Sequence, residues 1–400
     1  VACLKETLES HPNFIEAHNN LGNVLKEIGE LDEAISCFKQ AHTLDPNFTP
    51  AHSNLLLTMH YCQGQTAETL YRLHRVWDEG HAQALRPLWP THSNSAAPGR
   101  QLRVGFVSPD LGRHPVGYFV VGLFEHLPKE DLQIVVYSDR NPDDLTERIR
   151  TATDEWYETA GISDESLADK ILTDHIDILF DLTGHSANNR LLVFARKPAP
   201  VQVSWAGYVG TTGLSAMDYY LSDHFSTRKE DEPFYSETVI RMPDSWLCFT
   251  PPDYAPDIGP SPCKRNEYIT FCSFSNPAKI NDEVLSVWSR IVGSVPNSRL
   301  LIKYSGVDSD ANTKRLKNKF EKEDVDLSRL MLEGNSPHAD LLSRYNDTDI
   351  ALDPFPYSGG LTTTEALWMG VPVIPLPGDT FASRHSLSYL SVLGLSELIA

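Results

Sequence analysis

The sequence contains few cysteines, and none of them is paired in a motif. Six cysteines are spread over 400 residues without a CxxC pair, so neither a zinc knuckle nor a disulfide framework is indicated. No apolar run is long enough to span a bilayer, and no signal peptide is present. These absences favour a reducing cytoplasm, or the nucleus and cytoplasm in a eukaryote. Because the first residue is Val1 and not methionine, we expect further residues upstream.

Basic residues are also in deficit. The chain has 34 lysines and arginines against 54 acidic residues, which gives a formal net charge of −20. This balance argues against nucleic acid or an anionic membrane as a partner, although one local basic site could still bind an anion. Hydrophobic residues make up 41% of the sequence. A chain of this length and composition can bury a sizeable core in two or three domains.

An internal repeat occupies the N-terminal part of the chain. The tripeptide PNF at residues 12–14 returns at residues 46–48, and AH at 17–18 returns at 51–52. Both offsets are 34 residues, which is the tetratricopeptide period. We therefore predict repeat helices over residues 1–85, with one full repeat, part of an earlier one, a divergent one and a closing helix. Such helices form a groove for peptides, and the equal alternative is a packing platform.

Strands and helices alternate after a polar linker at residues 86–101. Predicted strands at residues 102–108, 132–138 and 176–182 are separated by helices, and residues 198–213 add another strand and a glycine-punctuated loop. We expect a first lobe, residues 102–248, built on a parallel sheet. A proline-rich crossing leads to a second lobe, residues 264–400, whose strands are predicted at residues 268–274, 300–304, 330–332, 349–352 and 371–376.

Three polar residues follow predicted strands of the first lobe. His114 comes after the first strand, and Asp181 and His185, in DLTGH, come after the third. Ligands of parallel sheets bind outside the carboxyl ends of the strands. The three residues are therefore candidate catalytic groups, although a single loop histidine is more often a surface residue.

The segment LDPFPYSGGLTTTEALWMG, residues 352–370, passes from a strand through a glycine-rich turn into a predicted helix. Gly359 and Gly360 permit the turn, and Thr362 and Glu365 have the spacing of a capping box. Free amides at the start of this helix are suited to an anion such as a diphosphate. The alternative is a turn that binds nothing, because no Walker A lysine is present.

Lys279 follows the first predicted strand of the second lobe, in SNPAK at residues 275–279. A cation that faces the glycine-rich turn could stabilise a departing diphosphate, and an ordinary surface lysine is the alternative. Two DxD patterns, at residues 308–310 and 347–349, match a metal motif of sugar-nucleotide enzymes. We discount both, because the first lies in a polar loop and the second runs into a strand.

Repeats followed by two such lobes resemble the intracellular protein O-glycosyltransferases, namely O-GlcNAc transferase and SPINDLY, a protein O-fucosyltransferase. The resemblance covers essentially the whole chain and implies α-helical tetratricopeptide repeats followed by an α/β GT-B fold of two Rossmann-like lobes. It also implies an inverting, metal-independent transfer of a sugar from a nucleotide diphosphate to serine or threonine, with no cofactor. Six ordered motifs carry it: VGFVSPDLGRHPVGYF, DLTGHSANNRL, KPAPVQVSWAGYVGTTGL, FCSFSNPAKI, LDPFPYSGGLTTTEALWMGVP and GDTFASR.

By position, the resemblance places His114 beside the reacting centre, Lys279 against the leaving diphosphate and Glu365 at the donor ribose. The phosphates lie on Thr362 and the adjoining amides. His185 and Asp181 join His114 as candidates for the base, and a donor phosphate oxygen is the alternative proton acceptor. The donor-binding residues so implied are Asn276, Lys279, Gly359, Gly360, Leu361, Thr362, Thr363 and Glu365.

The chain departs from the O-GlcNAc transferase pattern at two places. Leu341 stands where a histidine usually stacks on uracil, and Gly360-Leu361-Thr362 replaces His-Thr-Thr. UDP-GlcNAc is the expected donor, and GDP-fucose is the alternative. The departures also leave open a non-catalytic adaptor with degenerate lobes, whereas transfer to a small molecule or lipid is disfavoured by the repeats. Because the chain stops at LSELIA, residues 395–400, we expect the second lobe to be truncated.

Overall fold

The computed structural model describes residues 1–400, which divide into two compact units. The first-lobe unit contains Ala41–Met59 and Gln65–Thr250. The second-lobe unit contains Val1–Gln40, His60–Gly64 and Pro251–Ala400. The repeat helices are therefore shared between the units and do not form a compact unit of their own.

Five α-helices make up the N-terminal region, as the repeat predicts. The full repeat forms the pair α2 and α3, and Thr66 caps α5 by accepting a hydrogen bond from the Thr69 amide at 3.1 Å. A π-helical turn, Asp78–Ala82, and a 3-10 turn, Gln83–Leu88, follow α5. The five helices are α1 (Ala2–Ser10), α2 (Ile15–Glu27), α3 (Leu31–Leu44), α4 (Thr49–Met59) and α5 (Ala67–Trp77).

Close packing explains the residue pattern of the repeat. A Cβ atom on Gly22 of α2 would lie 2.6 Å from the Phe38 ring of α3, so only glycine leaves room for that ring. Ala34 and Phe38 are completely buried. The small residue thus lets the two helices approach, and the large one fills the space between them.

The first-lobe unit contains a parallel sheet of seven strands in the order β3-β2-β1-β4-β5-β6-β7. Its buried core is formed by strand residues such as Val135 and Leu179 and by helix residues such as Phe194. The elements are β1 (Leu102–Val107), α6 (Pro115–His126), β2 (Leu132–Ser138), α7 (Asp144–Ala152), β3 (Glu155–Glu158), α8 (Asp164–Thr173), β4 (Ile178–Asp181), α9 (Leu191–Ala195), β5 (Val201–Ser204), β6 (Tyr219–Asp223) and β7 (Thr238–Met242).

The sequence-based prediction missed β3, β6 and β7. The edge strand β3 has the sequence EWYE and no fully buried residue, so it lacks the apolar run that marks a buried strand. As a result, the strand before His185 is the fourth and not the predicted third, and Asp181 is its last residue. The β4 strand nevertheless pairs directly with β1.

The second-lobe unit contains a parallel sheet of five strands in the order β10-β9-β8-β11-β12. Helices flank this sheet too, and the two sheets confirm the predicted two-lobe fold class. The elements are α10 (Cys263–Asn266), β8 (Thr270–Ser273), α11 (Asp282–Ser294), β9 (Arg299–Lys303), α12 (Asp310–Lys322), β10 (Leu330–Glu333), α13 (His338–Arg344), β11 (Ile350–Leu352), α14 (Leu361–Trp368), β12 (Val373–Ile374) and α15 (His385–Val392).

Each sheet reverses its winding at one point. In the first-lobe unit the chain builds β1, β2 and β3 outwards and then returns to place β4 on the other side of β1. The second-lobe unit repeats this at β8 and β11. Ligands of doubly wound sheets bind in the crevice at such a reversal. The loops after β1, β4, β8 and β11 are therefore where a ligand is expected.

None of the helices combines the length and the apolar character that crossing a membrane requires.

Candidate active site

Lys279 lies directly after β8, at the end of a short 3-10 turn, Pro277–Lys279. The Asn276 side chain caps this turn by accepting the Ala278 amide at 2.9 Å, which fixes the direction in which Lys279 leaves the backbone. The Lys279 Nζ donates to the Ser358 carbonyl at 2.8 Å. The structure therefore brings the lysine to the glycine-rich turn after β11.

Helix α14 begins at Leu361, and Gly360 is its N-cap. The predicted capping box is wrong: no side chain caps this helix, and Thr362 and Glu365 both lie inside it. The reason is that the helix starts two residues earlier than the spacing implied, with Gly360 and not Thr362 as its N-cap. This start leaves the N–H groups of Gly360, Leu361 and Thr362 without a partner. These donors and the helix dipole offer a site for an anion.

The two glycines of the turn have different roles. A Cβ on Gly359 would lie 2.4 Å from Thr363 Oγ1 and 2.9 Å from Asp353 Oδ1, whereas a Cβ on Gly360 would meet nothing within 4 Å. Gly359 is thus required for packing. Gly360 leaves open space beside the free amides.

The buried carboxylate of Asp353 holds the glycine-rich turn in place through a hydrogen bond. Its Oδ1 accepts the Gly359 amide at 2.6 Å. Burial raises the pKa of Asp353, while the Gly359 hydrogen bond and the charge of Lys279 act against that rise. Burial also disfavours the charged form of Lys279 and so lowers its pKa, and the Asp353 carboxylate opposes this shift. The lysine therefore lies in a low-dielectric environment, where its charge acts strongly on an anion.

Two aromatic rings form one wall beside Lys279. The Lys279 Nζ lies 4.0 Å from the centroid of the Tyr357 ring, a cation–π distance. On its other side, Tyr357 stacks on Tyr61 with centroids 4.8 Å apart and an interplanar angle of 23°. Because Tyr61 follows α4, the repeat region contributes to the position of the lysine within the second-lobe unit.

Glu365 is buried inside α14 and pairs with His338 at the start of α13. The distance from His338 Nε2 to Glu365 Oε1 is 2.7 Å, and His338 Nδ1 lies 2.8 Å from the Tyr254 hydroxyl. Burial raises the pKa of Glu365, and its hydrogen bond with His338 opposes this. With Nε2–H donating to the carboxylate, Nδ1 can accept a hydrogen bond from the tyrosine hydroxyl. His338 lies one helical turn before Leu341, which packs partly buried in the core.

In the first-lobe unit, His114 is the N-cap of α6. Its Nδ1 accepts the Val116 amide at 3.4 Å, and Asp110 Oδ1 lies 3.7 Å from the same nitrogen. The side chain is 40% exposed, so it can reach a ligand. Desolvation of its buried side, and then the charge of Arg140, lower the pKa of His114. A neutral ring whose Nδ1 accepts a hydrogen bond carries its proton on Nε2.

Asp181 and His185 are enclosed by the protein. The Asp181 carboxylate accepts the Thr183 amide at 3.1 Å and the Gly184 amide at 2.9 Å, and burial raises its pKa to about 7. His185 is completely buried, with Nε2 2.8 Å from the Thr212 carbonyl and Nδ1 3.2 Å from Ser53 Oγ. Both ring nitrogens of His185 are therefore engaged by the fold.

Comparison with known proteins places the chain in a family. The model described as glycosyl transferase family 41 matches residues 49–250 and 264–400, and the tetratricopeptide repeat model matches residues 15–48. The chain belongs to glycosyl transferase family 41.

Proteins similar to this chain come from plants and from a bacterium. The probable UDP-N-acetylglucosamine-peptide N-acetylglucosaminyltransferase SPINDLY of Solanum lycopersicum is 37% identical over 86% of this chain and 38% of its own length. The corresponding SEC protein of Arabidopsis thaliana is 28% identical over 74% of this chain and 31% of its own length. A mutant O-GlcNAc transferase of Thermobaculum terrenum, a solved structure, has a TM-score of 0.94 and 36% identity over 99% of this chain and 76% of that one.

This family 41 chain thus spans 38% of the length of its SPINDLY relative.

Both aspartates of the second DxD pattern and the serine of the first make contacts within the fold. Asp349 accepts the Thr270 and Cys263 amides, both at 2.9 Å, Asp347 pairs with Arg344 at 2.9 Å, and Ser309 caps α12.

Sequence reasoning missed Asp353, Tyr357 and His338. The first two lie within the motif at residues 352–370, so their position beside the glycine-rich turn was a usable signal. His338 lies 27 residues before its partner Glu365, and no local spacing links the two. Only the pairing of strands and helices brings them together.

Proposed function

We propose that this chain is the catalytic part of an inverting protein O-glycosyltransferase that takes its sugar from a nucleotide diphosphate. The observation that carries the proposal is the contact of Lys279 with the glycine-rich turn, 2.8 Å from Nζ to the Ser358 carbonyl, beside three unpaired amides. A cation and a helix start at adjacent strand ends form a diphosphate site. The names of the SPINDLY, SEC and O-GlcNAc transferase relatives support the same class of reaction.

In the proposed reaction, a serine or threonine oxygen of the acceptor forms a bond to the anomeric carbon as the bond from that carbon to the diphosphate breaks. The leaving group departs with the electron pair, and its negative charge is stabilised by Lys279 and the amides of Gly360, Leu361 and Thr362. These groups supply the positive charge that a divalent cation supplies elsewhere, so we propose a metal-independent transfer without a cofactor.

The hydroxyl proton goes to a phosphate oxygen of the donor in this proposal. His185 has both nitrogens engaged by the fold, and Asp181 is enclosed and holds two amides. His114 remains the exposed candidate, but its Nδ1 accepts the Val116 amide, so Nε2 carries the proton and donates it. We therefore assign His114 to hydrogen bonding of the donor and not to proton removal.

UDP-GlcNAc is the donor that we propose first, with Glu365 and His338 near the ribose and protein or peptide acceptors on the repeat helices. The names of the relatives, which are up to 37% identical to this chain, support this choice of donor. GDP-fucose is the second candidate. It is favoured by Leu341, which packs in the core, and by Gly360, whose open side leaves more space than a histidine would.

Calorimetric titration with UDP and with GDP tests the proposal. We expect one of the two to bind the whole chain and the other to bind at least about tenfold more weakly, which corresponds to about 1.4 kcal/mol. Lys279→Ala should weaken binding of the same nucleotide. If a folded chain binds neither UDP nor GDP, the transferase proposal fails and the adaptor interpretation replaces it. Mass spectrometry of a co-incubated acceptor then distinguishes an added hexosamine from a deoxyhexose.

A further inference from the structure

Three histidines from three different helices meet in the first-lobe unit. His42 lies near the end of α3, His52 lies on α4, and His81 lies in the π-helical turn after α5. One nitrogen of each ring lies within 4.8 Å of a nitrogen of both others. His52 Nδ1 is 3.0 Å from His81 Nε2, and the ring centroids of His42 and His52 are 4.5 Å apart. None of the three belongs to the candidate active site.

Hydrogen bonds within the cluster do not satisfy all of its nitrogens. The Nδ1 atom of His42 is buried and has no hydrogen-bond partner, which is unfavourable in the absence of a ligand. His52 is only 5% exposed. The nearby carboxylate of Asp78 is already used, since it pairs with Arg75 and accepts hydrogen bonds from Ser215. The unmet hydrogen-bonding capacity of the cluster is therefore that of an imidazole nitrogen, His42 Nδ1.

We propose that His42, His52 and His81 bind a divalent transition-metal ion, Zn²⁺ in the first instance. Three imidazoles and one open position form a common zinc coordination, with Zn–N distances of about 2.0–2.1 Å and ligand nitrogens about 3.3 Å apart. The nitrogens here lie within 4.8 Å, so small side-chain rotations complete the geometry. His42 and His81 are half-exposed, which gives the ion a path of entry.

The proposed ion would link three helices that are separate in sequence. It would join the end of the full repeat, the divergent repeat and the π-helical turn. Since a folded protein offers this arrangement and an unfolded chain does not, binding would stabilise the folded state. This stabilising role is independent of the proposed sugar transfer.

Calorimetric titration of Zn²⁺ into the whole chain, freed of metal with a chelator and carrying no histidine tag, tests the proposal. We expect the wild type to bind Zn²⁺ at one site. His42→Asn and His81→Asn should each lower its affinity for Zn²⁺ at least about tenfold, because losing a metal ligand costs at least as much affinity as losing a hydrogen-bond partner of a ligand. The exposed His224 lies outside the cluster, so His224→Asn is the matched control and should bind as the wild type does.

Two further measurements make the outcome decisive. Zn²⁺ should raise the melting temperature of the wild type and of His224→Asn but not that of the double variant His42→Asn/His81→Asn. Co²⁺ bound to the wild type should show the visible absorption of a four-coordinate ion. The proposal is overturned if the folded wild type binds Zn²⁺ no more tightly than the double variant, or if His224→Asn loses as much affinity as the cluster variants.

Discussion

Among single residues, Lys279 carries the largest share of the proposed chemistry. Its Nζ is held by a carbonyl and a ring face, and a buried carboxylate lies nearby. The carbonyl and the ring are neutral groups that release a lysine at little cost when an anion arrives. The lysine is therefore positioned before the donor binds.

Replacing Lys279 with alanine should lower kcat for sugar transfer by about 10²–10³, as loss of a group that stabilises developing charge does elsewhere. The measurement is turnover of the nucleotide sugar at saturating donor. The exposed Lys264 provides the control, and Lys264→Ala should leave kcat unchanged. Turnover of Lys279→Ala within a few-fold of the wild type would remove this lysine from the proposed role.

Two substitutions of Tyr357 separate the effect of its aromatic face from that of its hydroxyl group. The ring face contacts Lys279 at 4.0 Å, so Tyr357→Phe should keep kcat within about twofold of the wild type, whereas Tyr357→Ala should lower it about 3–30-fold, the range of a cation–π contact. Steady-state kinetics of both variants, after a check that each is folded, measure the difference. Equal losses in the two variants would contradict the cation–π explanation.

At the level of elements, two helix glycines have opposite effects on stability. A Cβ atom added to Gly22 of α2 would lie 2.6 Å from the Phe38 ring, while one added to Gly293 of α11 would meet nothing within 4 Å. The first glycine is required by packing. The second only lowers the stability of its helix.

Gly22→Ala should therefore lower the free energy of unfolding by about 1–3 kcal/mol, because the added methyl group forces the Phe38 ring out of place. Gly293→Ala should raise it by about 0.5–1 kcal/mol, the helix preference of alanine over glycine. Urea denaturation of the two variants measures both. If Gly22→Ala were as stable as the wild type, the close approach of α2 and α3 would be refuted.

The site elements show how far sequence reasoning reached. The strand ends that carry His114, Lys279 and the glycine-rich turn were placed correctly, because apolar runs and glycines are local signals. The prediction of a capping box failed, because Thr362 and Glu365 have the right spacing but lie two positions further along the helix than a capping box requires. His338 was not found, because its partner Glu365 is distant in sequence.

For the whole molecule, buried histidines couple stability to pH. His74 of α5 is 1% exposed, and its ring nitrogens lie 2.6 Å from the Leu70 carbonyl and 2.7 Å from the Tyr208 hydroxyl. Burial lowers its pKa from 6.5 to about 4, against a smaller rise from the Leu70 hydrogen bond. The unfolded chain thus takes up a proton at this residue before the folded chain does, so stability falls as pH drops below 6.5.

As pH falls from about 7.5 to about 5, proton uptake by His74 in the unfolded chain should lower the free energy of unfolding by about 2 kcal/mol. His74→Gln removes this titration, so its loss of stability over the same range should be smaller than that of the wild type by that amount. Urea denaturation at both pH values provides the measurement. The exposed His126 serves as a control, and His126→Gln should parallel the wild type; identical pH dependence in His74→Gln would contradict the assignment.

The sequence by itself determined the repeat helices, the two parallel sheets and the segments at their strand ends. These follow from periodicity and from runs of apolar residues, which depend on neighbours along the chain. Only the tertiary structure decided that Lys279 rests on Ser358 and Tyr357, that Glu365 pairs with His338, and that His185 is enclosed. Burial, hydrogen-bond partners and the resulting pKa shifts are set by residues far away in sequence, and packing alone brings those residues together.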